Sequence, residues 1–248
     1  MELVIWLVFE TIFVVLHLFT GMIPVSNPIT AQAVSMYSQV LINSLSIYFF
    51  RSYLCKASDL RIIGRKGLKY CLWAAAIGVG LCLGHRILFL FFWSFVMQSL
   101  RDIGEAAMSS QAAFLNTFPG ILYESLLGPV TEEIFFRGII FHVARKKRGN
   151  LYAVLISSFL FAIGHLNGIQ FLSALFMGVV IGYAVILTDN VYIGIVIHVV
   201  NNTFSIFNSH VINKLWNLEG GVVFAPVCFG ILLLAFGVLM LRREARKE

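Results

Sequence analysis

Pro129-Val-Thr-Glu132-Glu133-Ile-Phe-Phe-Arg137-Gly138 sets two carboxylates and a guanidinium inside a greasy stretch. The flanks, Ile121 to Leu127 and Ile139 to Val143, are largely apolar. Ionisable groups at membrane depth are costly unless paired or watered, and for that reason they mark functional sites. The fold follows from whether these flanks are soluble core or membrane span.

Composition decides for the membrane. The chain has 248 residues, 59% hydrophobic and only 12% charged, with a mean hydropathy of +0.89. Soluble domains carry about 25% charged and roughly 45–50% apolar residues. The expected fold is all-α, a polytopic membrane helical bundle forming one integral membrane domain over residues 1–248. Spans of about 20 residues each consume nearly the whole length. The pI of 9.3 raises the possibility of nucleic acid. The basic residues, however, sit in short clusters beside apolar runs, which is the pattern of topology signals and anionic headgroups. The lipid bilayer, and no nucleic acid, is the expected surrounding.

Apolar runs place about eight transmembrane helices near residues 3–23, 33–54, 70–92, 119–144, 151–167, 169–187, 191–208 and 222–241. The first run, Leu3 to Phe19, lacks a basic leader region and a small-residue cleavage site, so it reads as a retained span. Basic clusters follow the second span (Lys56, Arg61, Arg65, Lys66, Lys69), the fourth (Arg145 to Arg148) and the last (Arg242, Arg243, Arg246, Lys247). With eight spans all three share one side, and the positive-inside rule puts both termini in the cytoplasm. Cys55, Cys71, Cys82 and Cys228 show no CxxC spacing and read as reduced packing residues. His85 and Arg86 interrupt the third run. Arg86 is expected to snorkel to the outer interface or to pair with Glu124 or Glu10.

Three spans carry polar groups at comparable depth. Glu133 and Arg137 are an i,i+4 pair, so they share a helix face and can pair. Glu132 is turned about 100° away, free to face a polar cavity and to serve as a general base. His165 closes Phe161-Ala-Ile-Gly-His165, where an aromatic on the same face can hold the ring. His198 and Asn202, also i,i+4, can donate hydrogen bonds to a developing oxyanion. Isolated membrane histidines are more often packing residues, and His17, His85 and His142 are read that way. Asn167, Asn201, Asn208 and His210 lie near the motifs and receive no role. Pro129 can start or kink a helical segment.

At these residues the chain resembles the CPBP family of intramembrane proteases, also called the CAAX-protease and bacteriocin-processing or Abi family. Pro129 to Gly138 is similar to the family's first motif, Phe161 to His165 to its second, and His198-Val-Val-Asn201-Asn202 to its third. The turn Thr188-Asp189-Asn190 is also similar, and the matching core runs from about 119 to 208. The resemblance implies a hydrolase, a CPBP-type intramembrane protease, acting on a membrane-associated peptide or protein in a cavity within the membrane. Glu132 and His165 would then activate water, His198 and Asn202 would stabilise the oxyanion, and Glu133 and Arg137 would support the site. It also implies a bacterial plasma-membrane location and CAAX-type, pheromone or bacteriocin-related processing, self-immunity included.

Two questions stay open at this level. Zn²⁺ could be held by Glu132, Glu133, His165 and His198. The chain lacks HExxH spacing, and Glu133 paired with Arg137 leaves too few ligands, so no cofactor is expected. A non-enzymatic scaffold regulating a partner such as a sensor kinase is the rival function. A proton-relaying transporter is less suited, because no inverted repeat is present.

Overall fold

A computed structural model describes residues 26–53, 67–84, 112–165, 168–207 and 224–247, and among them every element is helical. The expected first span, the continuation of the third to residue 92, His17, His85, Arg86, Glu10, Cys55 and the loop at Lys56 to Lys66 lie outside the described residues.

Local signals explain the boundaries. Helix α1 (Pro28–Tyr53) begins earlier than hydropathy suggests because Asn27 caps it. The Asn27 side-chain oxygen accepts the N–H groups of Ile29 (2.9 Å) and Thr30 (3.3 Å), and Pro28 needs no partner at the first helical position. Helix α2 covers Gly67–Gly84. The fourth span is not one regular helix. It is built from α3 (Phe118–Leu122), a π-helical stretch π1 (Tyr123–Leu127), α4 (Gly128–Glu133), a second π-helical stretch π2 (Ile134–Ile140), and the start of α5 (Phe141–Gly164). Thr117 caps the start by accepting the Gly120 N–H at 3.2 Å.

The expected break between the fourth and fifth spans is at Gly149, whose φ of 81° and ψ of −176° divide α5 into two helices. Such a left-handed φ is open to glycine at no steric cost. Helices α6 (Gly168–Thr188) and α7 (Val191–Phe207) are joined by Asp189, at φ 47°, and Asn190. The Asn190 side chain accepts the Tyr192 N–H at 3.0 Å, capping α7. Helix α8 (Phe224–Ala245) completes the set.

Contacts between helices establish their relative directions. Tyr37 donates to the Pro119 carbonyl and Tyr123 to Gln39, both at 3.0 Å, so α1 and the fourth span run the same way. Arg137 bonds Gly178 and Arg145 bonds Asp189, so α6 runs with them. His198 bonds Glu133 and Asn202 bonds Glu124, so α7 is antiparallel. A Cβ on Gly230 would meet the Gly84 nitrogen at 2.7 Å, and one on Gly237 would meet Ile77. Helices α2 and α8 are therefore antiparallel and meet through small residues, as helices in lipid do. These directions are those of a chain that crosses alternately.

The bundle has an apolar core that encloses a polar cluster, and its outer faces are apolar as well. Glu132, Glu133, Arg137, His198, Asn43 and Asn201 are buried, whereas Leu151, Leu155, Phe159 and Ile163 form an exposed stripe at i,i+4 spacing on α5. Leu232, Phe236 and Leu239 are exposed on α8. Gln170–Thr188 and Ala225–Ala245 are, among the described residues, the two helices both long and apolar enough to cross a membrane. Large exposed apolar faces are unfavourable in water and suit a lipid-facing surface. Of the cysteines, Cys82 is buried as expected, while Cys228 is exposed on α8 rather than packed in the core.

Candidate functional site

Glu133 is fully buried and holds two partners with one oxygen. Its Oε1 accepts from Arg137 Nη1 at 3.1 Å and from His198 Nδ1 at 2.9 Å. The expected Glu133–Arg137 pair is present, but pairing with arginine alone does not describe it. The carboxylate joins two helices by fixing the histidine of α7. Because Glu133 accepts, His198 Nδ1 carries the proton, and Nε2 is turned to Glu132 Oε2, 3.9 Å away. The proton on Nδ1 follows from the bonding network.

Arg137 is buried as deeply. Its second amino group donates to the Gly178 carbonyl at 3.1 Å, and its guanidinium carbon lies 4.7 Å from the centre of the Phe161 ring. Glycine at 178 makes this possible, since a Cβ there would stand 3.1 Å from Arg137 Nη2 and 2.9 Å from Ser158 Cβ. Gly194 does the same for Glu133, with a Cβ meeting its Oε2 at 3.3 Å and Ile181 at 2.9 Å.

Phe161 is the shared wall of the site. His165 and His198 meet its ring edge-on at 4.8 and 5.6 Å, and Phe136 meets it at 5.4 Å. Its carbonyl also accepts from His165 Nδ1 at 2.8 Å. The aromatic of the second motif thus holds the histidine by ring and by backbone, which leaves His165 Nε2 for chemistry.

Asn202 reaches a carboxylate that sequence reasoning placed elsewhere. Its Nδ2 donates to the Glu124 carbonyl at 3.1 Å and contacts Glu124 Oε1 at 3.4 Å, while Asn201 donates to its Oδ1 at 2.9 Å. The expected link from Glu124 to Arg86 lies outside the described residues. Glu124 is close enough to Glu132 and His198 to feel both electrostatically.

The π-helical stretch explains why Glu124 belongs to the site. On a regular α-helix, residues eight apart are separated by about 80° around the axis. The wider turn of π1 removes most of that angle and brings Glu124 onto the face of Glu132. Two features of π1 also free the Glu124 carbonyl. The Gly128 N–H closes onto Tyr123, five residues back, and Pro129 has no N–H to offer. Pro129 therefore acts here by leaving a carbonyl open within a continuing helix, not by starting a new one. The signal for Glu124 was present in the sequence, a third carboxylate in an apolar run. Gly178 and Gly182 show the small-xxx-small spacing of close helix contacts.

Of the alternative metal set, Glu133 Oε1 is engaged by Arg137 and His198 while its Oε2 is buried without a hydrogen-bond partner, and among the described residues no group of three His, Cys, Asp or Glu side chains is close enough to share an ion. Asn201 acquires a partner, whereas Asn167, Asn208 and His210 lie outside the described residues.

The family resemblance is matched by direct comparison. Residues 114–204 fit the family described as type II CAAX prenyl endopeptidase Rce1-like, a segment that contains Glu132, Glu133, Arg137, His165, His198 and Asn202. The "Putative membrane peptidase YdiL" of Bacillus subtilis (strain 168) is 36% identical over 84 residues, which are 34% of each chain. The "Membrane-embedded CAAX protease MroQ" of Staphylococcus aureus (strain USA300) is 34% identical over 91 residues, 34% of this chain and 36% of that one. The chain thus spans about a third of the length of the curated relatives it matches. No solved structure matches it.

Proposed function

We propose that this chain, Rce1-like over the segment that holds all six site residues, is an intramembrane endopeptidase. It hydrolyses a peptide bond in a membrane-associated peptide or protein, within an eight-span bundle whose termini are both cytoplasmic. The carrying observation is the convergence of three helices on one polar centre, with His198 held by Glu133 and aimed at Glu132.

Glu132 Oε2 and His198 Nε2 are 3.9 Å apart, so one oxygen atom can lie about 2.8 Å from both. Glu132, with His165, takes a proton from water as the water oxygen bonds to the scissile carbonyl carbon. The carbonyl oxygen gains the electron pair and is stabilised by donors from His198 and Asn202. For His198 to donate from Nε2 the ring is an imidazolium, held by carboxylates on either side. The proton taken from water then passes to the leaving nitrogen as the C–N bond breaks. Glu133 and Arg137 orient the histidine and touch no substrate. The reaction proceeds with no metal.

The test compares membrane-peptide populations of cells carrying wild type, Glu132→Ala or His165→Ala at equal protein level. Cleaved peptides present only with wild type support the protease. Wild-type behaviour of both variants favours the scaffold reading. Zinc content settles the metal question: the purified chain is expected to hold far less than one zinc per chain and to keep its activity after chelation.

A further inference from the structure

We propose that Glu124 is a positioning residue for Asn202, an inference that rests on the hydrolytic reading above. An asparagine amide that serves an oxyanion must present its nitrogen to the site, yet nothing in the side chain itself selects one end over the other. Both ends are held here. Asn201 donates to Oδ1 at 2.9 Å, and the Glu124 main-chain carbonyl takes one Nδ2 hydrogen at 3.1 Å with Glu124 Oε1 beside it at 3.4 Å, so the second hydrogen is the one that would serve an oxyanion.

The arrangement is built into the helix that carries Glu132. A regular α-helix would consume the Glu124 carbonyl with the N–H of residue 128, and a regular π-helix with that of residue 129. In π1 the first goes to Tyr123 and the second does not exist, because residue 129 is proline. A free carbonyl partly withdrawn from the surface is costly without a donor, and Asn202 is the donor supplied. The same turn brings the Glu124 side chain to the face of Glu132. Asn202 is thereby registered against the rod bearing the general base, and the two halves of the proposed chemistry keep a common frame. Misplacement by about 1 Å can cost on the order of a hundredfold in rate.

Two measurements on the full chain in detergent micelles test this. The first observes asparagine side-chain amides by ¹⁵N NMR, with the Asn202 pair assigned by its loss in Asn202→Ala. Glu124→Leu, and Pro129→Ala, which returns an N–H to the helix, are each expected to shift the Asn202 signals more than those of any other assigned asparagine. Unshifted Asn202 signals in both overturn the proposal. The second uses an internally quenched, farnesylated C-terminal peptide as probe, with Glu132→Ala as the inactive control. Glu124→Leu is expected to lower kcat about tenfold or more with KM changed less than about twofold. Glu124→Gln, which keeps an acceptor at Oε1, is expected to stay within about threefold of wild type. A loss carried by KM, or a glutamine variant no better than leucine, overturns it. If wild type and Glu132→Ala are equally inactive on the probe, the hydrolytic reading fails there, and the amide spectra still decide the pairing.

Discussion

His198 Nδ1 lies 2.9 Å from Glu133 Oε1, and that contact orders the polar centre. It spends the buried carboxylate on a histidine of another helix and directs Nε2 to Glu132. Glu133→Gln keeps the shape but removes the negative charge shared by His198 and Arg137, so the ring loses the counter-charge that its doubly donating form needs. The expected result is a kcat loss on the order of 10²–10⁴ with a lowered melting temperature, because the buried Arg137 loses its counter-charge. Steady-state kinetics of the purified variant, beside a melting curve, checks it.

Arg137 makes a different prediction. It bonds Glu133 with one amino group and Gly178 with the other, and it stacks over Phe161. Arg137→Ala leaves a buried carboxylate uncompensated and is expected to cost about 3–5 kcal/mol. Arg137→Lys restores the charge but neither the fork nor the stacking, so it should recover only part of that loss. Thermal unfolding in detergent, and protein level in membranes, measure both.

The described helices and the Glu133–Arg137 pair were legible because each leaves a local mark. Hydropathy marks the spans, although it starts α1 at residue 33 and misses the Asn27 cap, and i,i+4 spacing pairs Glu133 with Arg137. The Glu124–Asn202 contact was not legible. It depends on a π-helical turn, and a single-sequence reading assumes 3.6 residues per turn. The His198–Glu133 bond was hidden for another reason: the residues are 65 positions apart, and spacing says nothing about contacts between helices. Gly178 and Gly194 look like ordinary membrane glycines until the atoms beside them are seen.

Those two glycines are testable by space alone. Gly178→Ala puts a methyl 2.9 Å from Ser158 Cβ and 3.1 Å from Arg137 Nη2. Overpacking of this kind costs about 1–3 kcal/mol, and Ser158→Gly in the same chain should return part of it. Gly164→Ala is the control, since its nearest atom is Phe136 Cζ at 3.7 Å. Melting temperatures should fall for the first variant, recover in the double variant and hold for the control.

Topology gives a prediction independent of catalysis. Alternate crossing puts the Gly149 turn and the end of α8 on one side and the start of α3 on the other. The native cysteines are first replaced by alanine, and single cysteines are then introduced. Those at Asn150 and Lys247 are expected to share one labelling behaviour toward a membrane-impermeant thiol reagent, and one at Thr117 to show the opposite. Labelling of intact against opened cells reads this. Equal labelling at all three positions would sink the alternating arrangement.

Phe161 offers the sharpest separation of activity from stability. Its ring touches Arg137, His165 and His198 at 4.7, 4.8 and 5.6 Å, while its carbonyl holds His165 whatever the side chain is. Phe161→Leu keeps most of the apolar volume and the backbone acceptor but removes the ring face under the guanidinium and the edges against both imidazoles. Each such contact contributes about 0.5–2 kcal/mol. Stability should therefore fall by no more than about 2–3 kcal/mol, because leucine refills the space. The two histidines lose the surface that sets their ring planes, so kcat should fall by about tenfold or more. Phe161→Tyr keeps the ring and should retain more activity than leucine unless its hydroxyl is forced against buried apolar atoms, which a lower melting temperature would reveal. Kinetics and melting curves of the two variants, measured together, distinguish a wall that orients the histidines from one that only fills space: equal activity of leucine and wild type at equal stability would leave Phe161 with the second role.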